Sequence, residues 1–123
     1  MNALREAIKK RMEKFECAEE SVAASFSFDK DFIGFKGHFE NRPILPGICK
    51  VQAVLLMLEE KYKKTIILLE MENVKFFHPV TCGEKLEFIC NDPLLGREKL
   101  IKCLVRQNNT KIADIQLKIL IGE

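Results

Sequence analysis

One of only two histidines in the chain, His38, stands in the run Gly37-His38-Phe39-Glu40-Asn41-Arg42-Pro43-Ile44-Leu45-Pro46-Gly47. An imidazole titrates near neutrality, so it can take a proton from a weak acid at physiological pH. Pro43, Pro46 and Gly47 stiffen the segment after it, and a long apolar stretch begins at Ile48. A base is therefore held on a rigid loop that feeds a buried helix. Other reactive types offer less. The five cysteines (17, 49, 82, 90 and 103) form no C-x-x-C pair and no zinc spacing. Cys49, Cys90 and Cys103 lie in apolar patterns as small hydrophobes, and we read all five as reduced thiols of a cytoplasmic protein. The second histidine, His78, precedes Pro79 at a strand end and reads as structural.

The elements that must position His38 can be read from periodicity. Leu4, Ile8, Met12 and Phe15 share one face of a helix over about 2–16. Val22, Ala24, Phe26 and Phe28 alternate with small residues as a strand. Residues 29–46 form a loop rich in Gly, Pro and Phe. Pro46, tolerated in a first turn, opens a helix over about 46–64 that is apolar nearly all round and so must be wrapped by other elements. Beyond Thr65 the chain reads as strand: a β-branched run to Phe77, then alternating runs at Leu86–Cys90, Ile101–Val105 and Ile115–Ile121. Turns fall at 79–83, 91–96 and 108–109. The simplest packing is an α+β domain, a curved antiparallel sheet wrapped around the long central helix, with residues 1–123 as one domain. Its open edges predict a homodimer.

Bulk properties narrow the function classes. The chain has 123 residues, 47% hydrophobic and 31% charged, with formal net charge +2. That is one domain's worth, with too little charge bias for a nucleic-acid binder and too much apolar content for disorder. The charged N-terminus does not read as a secretory signal. No run reaches the roughly 18 apolar residues of a membrane span.

The run at 37–47 resembles the active-site motif of the hotdog-fold 3-hydroxyacyl-[acyl-carrier-protein] dehydratases: Gly-His-Phe, a short polar insert, then Pro, two apolar residues and Pro-Gly. Val74-Lys75-Phe76-Phe77-His78-Pro79-Val80 with Gly83-Glu84-Lys85-Leu86 is similar to the same family's second motif. The resemblance implies a β-elimination of water. His38 would remove the α-proton of a 3-hydroxyacyl thioester carried by acyl carrier protein or coenzyme A. The Gly47 amide, at the start of the central helix, would polarise the thioester carbonyl. Phe39 and Pro46 would contact substrate. No cofactor and no metal are implied, and the dimer, with further assembly left open, would share its sites between subunits.

The chain departs from the pattern at one position that matters. Fourteen residues after the histidine the family carries an acid from the partner's helix; here stands Gln52. An amide can hydrogen-bond a hydroxyl or a water but cannot deliver a proton, and losing a general acid typically costs ~10²–10⁴ in rate. Glu40-Asn41-Arg42 also replace the usual insert, with Glu40 read as facing water. Two further functions therefore stand beside the dehydratase. One is a hotdog thioesterase in which Gln52 orients water, with Glu40 or Glu59 as base. The other is an acyl-binding or accessory subunit that pairs with another hotdog chain. Of Phe32, Phe35, Phe39, Phe76 and Phe77, most are read as core and Phe39 as the best channel residue. Lys36, Arg42 and Lys50 are read as flanking the site's mouth, either as a basic rim that would steer an acidic carrier protein or equally as part of a solvated face.

Overall fold

The computed structural model describes residues 2–35 and 44–123. His38, Phe39, Glu40, Lys36 and Arg42 lie outside the described residues.

Helix α1 (Ala3–Lys9) is capped by the Asn2 side chain, which accepts from the Arg5 N–H at 2.8 Å. It stops well short of the expected residue 16, and Met12–Ala18 form strand β1 instead. The physical reason is a bulge. Met12 pairs with Phe26 and Glu16 with Ala23, so one extra residue sits between them, and Lys14 adopts φ 49°. The extra residue returns Met12 and Phe15 to the same side of the strand. Their spacing of three then mimics a helical repeat.

Strand β2 (Ser21–Ser27) is followed by a 3-10 turn at Ile33–Phe35 and then by helix α2 (Gly47–Tyr62). Strands β3 (Ile66–Phe76), β4 (Lys85–Asn91), β5 (Glu98–Gln107) and β6 (Thr110–Ile121) complete the fold. All pairings are antiparallel, and the sheet order is β1-β2-β4-β5-β6-β3. The sheet is curved, and its alternating inward residues close on α2. Phe26, Phe88, Val105, Ile115 and Leu117 are fully buried, as are Val54, Met57 and Leu58 of the helix. Lys63 ends α2 in a left-handed conformation (φ 55°), its N–H donating to the Glu59 carbonyl at 2.8 Å.

Cys90 and Cys103 sit opposite one another on β4 and β5, both buried, and burial pushes the Cys103 thiol up. Burial likewise pushes the Cys49 thiol up to about 11. Thiols so placed are poor nucleophiles and act as core filling.

The C-terminal end of α2 is fastened by a buried polar cluster. Asp92, fully buried, accepts from Lys61 Nζ at 2.7 Å, Lys99 Nζ at 3.2 Å and the Tyr62 hydroxyl. Burial pushes the Asp92 carboxyl up, but these donors outweigh it and hold the group below its ordinary value. The far end of the helix is thereby anchored to the β4–β5 connection.

Candidate active site

The first residues of α2 are placed by the segment after β3. Leu45 N–H donates to the Val80 carbonyl at 2.7 Å, and Ile44 makes an isolated bridge to Thr81. Phe77 N–H donates to the Ile112 carbonyl at 2.8 Å, which fixes the same segment to β6. The two motif stretches, distant in sequence, thus meet at the N-terminus of the helix. Between them lies a cavity of about 310 Å³ lined by Ile44, Leu45, Gly47 and Lys50 from one stretch and Phe76, Phe77, His78 and Pro79 from the other.

Gly47 is the first residue of α2, with Pro46 (φ −60°, ψ 144°) as its N-cap. Its N–H belongs to the first-turn donors that the helix itself leaves free, at the positive end of the macrodipole. A side chain is excluded there, because a Cβ on Gly47 would come within 2.6 Å of the Phe76 ring. The ring forms the wall between the first cavity and a second, apolar one of about 290 Å³ lined by Gly47, Ile48, Val51, Met71, Val74 and Phe76.

Phe76 and Phe77, expected from sequence to fill core, are 48% and 46% exposed. Phe32 and Phe35 are buried as expected. The cause for Phe76 is the edge position of β3. Its register with β6 shifts twice, between Leu68 and Glu70 and between Met71 and Asn73. The shifts keep Ile66, Leu68, Met71, Val74 and Phe76 on the inward face, yet α2 covers only the start of it.

Lys50, expected on a solvated rim, is 3% exposed. Its Nζ curls back to the Leu45 carbonyl at 3.4 Å and lies 5.0 Å from the centroid of the Phe76 ring. Burial holds its pKa below the usual lysine value. His78, read from sequence as structural, is exposed and lines the cavity. The signals that could have exposed both roles were Lys50's place three residues after Gly47 and His78's place inside the second motif.

Gln52 is half-buried on α2. Five residues from Gly47 it is rotated about 140° around the axis, and it lines neither cavity beside Gly47. Within one chain these two residues are not brought together. Glu59 is ion-paired with Arg5 and, within one chain, lies about 18 Å along the helix from Gly47. Among the described residues, no three His, Cys, Asp or Glu side chains cluster as metal ligands.

A family model described as ApeI dehydratase, ApeI-like, matches residues 13–111. The chain belongs to the ApeI-like dehydratase family. The 3-hydroxyacyl-[acyl-carrier-protein] dehydratase FabZ of Wolbachia sp. subsp. Drosophila simulans is 29% identical over 104 residues, covering 77% of this chain and 71% of that protein. FabZ of Bartonella quintana is 26% identical over 100 residues; the match covers 72% of this chain and 63% of the relative. Among solved structures, the dehydratase heterocomplex ApeI:P from Xenorhabdus doucetiae matches with a TM-score of 0.77 at 20% identity, covering 89% of this chain and 96% of that one. PH1136 from Pyrococcus horikoshii matches with a TM-score of 0.72 at 15% identity, over 92% and 85%. At such identities the structural likeness establishes the hotdog fold, while membership of the ApeI-like dehydratases rests on the family match. No helix among the described residues is long and apolar enough to cross a membrane.

Proposed function

We propose that this chain is a cytoplasmic 3-hydroxyacyl-thioester dehydratase, acting on acyl groups carried by acyl carrier protein or coenzyme A, without metal or cofactor. The observation that carries this reading is the meeting of the two motif stretches around the first turn of α2. In the proposed reaction His38 takes the α-proton. The Gly47 N–H donates to the thioester oxygen as negative charge builds there, which is where fixed donors are most effective. Phe39 and Pro46 contact the acyl group. The apolar cavity between α2 and β3 has the lining an acyl chain requires.

A homodimer is part of the reading. The uncovered inward residues Met71 and Phe76 on edge strand β3 and the exposed Ile48 of α2 favour a partner on that side. Gln52 would then approach the partner's site and hold the substrate hydroxyl or a water. The absence of a proton-donating group at position 52 supports a second reading, in which a different hotdog chain pairs with this one and supplies the acid.

The test is turnover of a 3-hydroxyacyl carrier-protein thioester to the 2-enoyl product by the purified chain. Activity is expected in the wild type, a loss of at least about 100-fold in His38→Ala, and a gain of at least about tenfold in Gln52→Glu. A silent wild type that becomes active only as Gln52→Glu, or only on mixing with a second hotdog subunit, sinks the homodimeric enzyme and favours the paired one.

A further inference from the structure

We propose that Lys50 is a further catalytic residue of this site, its ammonium donating alongside the Gly47 amide to the thioester oxygen as the enolate forms. The inference rests on the dehydratase reading and adds a group that neither motif assigns.

Three observations lead to it. First, Lys50 is 3% exposed yet has only one hydrogen bond among the described residues, a long one of 3.4 Å to the Leu45 carbonyl. No carboxylate among the described residues pairs with it, although an ammonium carries three donors. Second, the charge is at the wrong end of the helix for stability. Lys50 is the fourth residue of α2, and its side chain reaches back beyond the helix start. A cation there adds to the positive end of the dipole instead of offsetting it. Third, Lys50 lines the same cavity as Gly47. The Phe76 ring under its Nζ returns part of the lost hydration as a cation–π contact, but supplies no counter-charge. Burial, the helix dipole and the lack of a paired carboxylate among the described residues together place positive potential at one wall of a cavity. A negative charge that appears only during reaction is the occupant such a wall favours.

The step balances without a carboxylic acid. His38 takes the proton from Cα, the C–H electron pair forms the enolate C=C, and the carbonyl π pair moves onto the oxygen that Lys50 and Gly47 hold. When that pair returns, the Cα–Cβ double bond forms and the Cβ–O bond breaks. The departing hydroxide takes the proton carried by the imidazolium, directly or through water. The sum is a 2-enoyl thioester plus water, and Lys50 keeps its protons throughout. One added donor of this kind is typically worth ~10²–10³ in rate, which approaches the ~10²–10⁴ forfeited with a general acid.

The experiment uses two readouts on 3-hydroxybutyryl carrier-protein thioester: loss of water, and uptake of deuterium at Cα in D2O. Lys50→Met is expected to lower both by about 10²–10³ while its thermal midpoint stays level or rises, because a buried charge with no carboxylate partner among the described residues has been removed. Lys50→Arg, which keeps the charge, is expected to retain part of both activities. Lys50→Met with exchange within about threefold of wild type, far short of the loss expected for a donor to the oxyanion, overturns the proposal. So does a drop in thermal midpoint that Lys50→Arg fully restores while neither variant changes exchange. Should Lys50→Met not fold, Lys50→Gln takes its place under the same criteria. A wild type that neither exchanges nor eliminates sinks the dehydratase reading itself, whereas an active wild type indifferent to Lys50 sinks only this inference.

Discussion

At position 47 the requirement for glycine comes from a neighbour. The backbone there has ordinary helical geometry, and an alanine would suit the helix slightly better. The obstacle is the Phe76 ring, 2.6 Å from where a Cβ would be. Gly47→Ala should therefore cost about 1–2 kcal/mol as an overpacking change, and almost nothing in a Phe76→Ala background. Urea unfolding of the four chains in a double-mutant cycle measures this coupling, and additive effects would show that the ring moves aside freely. Lys50 makes the complementary point. A lysine on a helix reads as a surface charge, and only tertiary packing, with the Phe76 ring and the Leu45 carbonyl beside its Nζ, makes it interior. The histidine and its prolines stand out in the sequence because their types and spacing are specific, while His38 itself lies outside the described residues. The burial of Lys50 and the exposure of Phe76 depend on what lies opposite them, which no local pattern records.

The elements divide in the same way. Helix α2 was legible to within about two residues, because its apolar run and its proline entry are local properties. The alternating strands β4, β5 and β6 were legible for the same reason. Strand β1 reads as the end of a helix because a bulge restores a spacing of three. Strand β3 shows no clean alternation because its register shifts twice. The far end of α2 depends on Asp92, whose carboxylate holds Lys61 and Lys99 together. Asp92→Asn would leave two lysines facing a neutral amide and should cost about 3–5 kcal/mol, read from denaturant midpoints. The lowered native pKa sets the sign of the pH dependence. The unfolded carboxyl protonates first, near its ordinary value of 3.8, so this contribution is intact above that pH. It is lost as pH falls from there through the lower native value. Thermal midpoints of wild type and Asp92→Asn should therefore converge under acid.

For the whole molecule, the decisive feature is the uneven covering of the sheet. Helix α2 closes most of the concave face but leaves the inward side of β3 open beside its own first turns. An edge strand with uncovered inward apolar residues is completed most simply by a second chain. Met71→Asp, on that inward face, should turn a dimer into a monomer by light scattering while leaving the monomer folded, since Met71 is already 54% exposed. If dehydratase activity depends on a group from the partner's helix, it should vanish with the dimer. A monomeric Met71→Asp chain with full activity would place the entire catalytic set in one subunit.

By itself, the sequence determined that a wrapped apolar helix begins at a proline-glycine step, that alternating strands come after it, and that a histidine with a distinctive frame precedes them. Those properties arise from residue type and short-range periodicity, which act over one or two turns of chain. Only the tertiary structure decided that residues 44–47 and 76–81 would meet and that a lysine would be enclosed where they do. These outcomes are set by hydrogen bonds such as Leu45 to Val80 and by the register of an edge strand. Contacts of that kind join segments far apart along the chain, so no pattern within either segment specifies them.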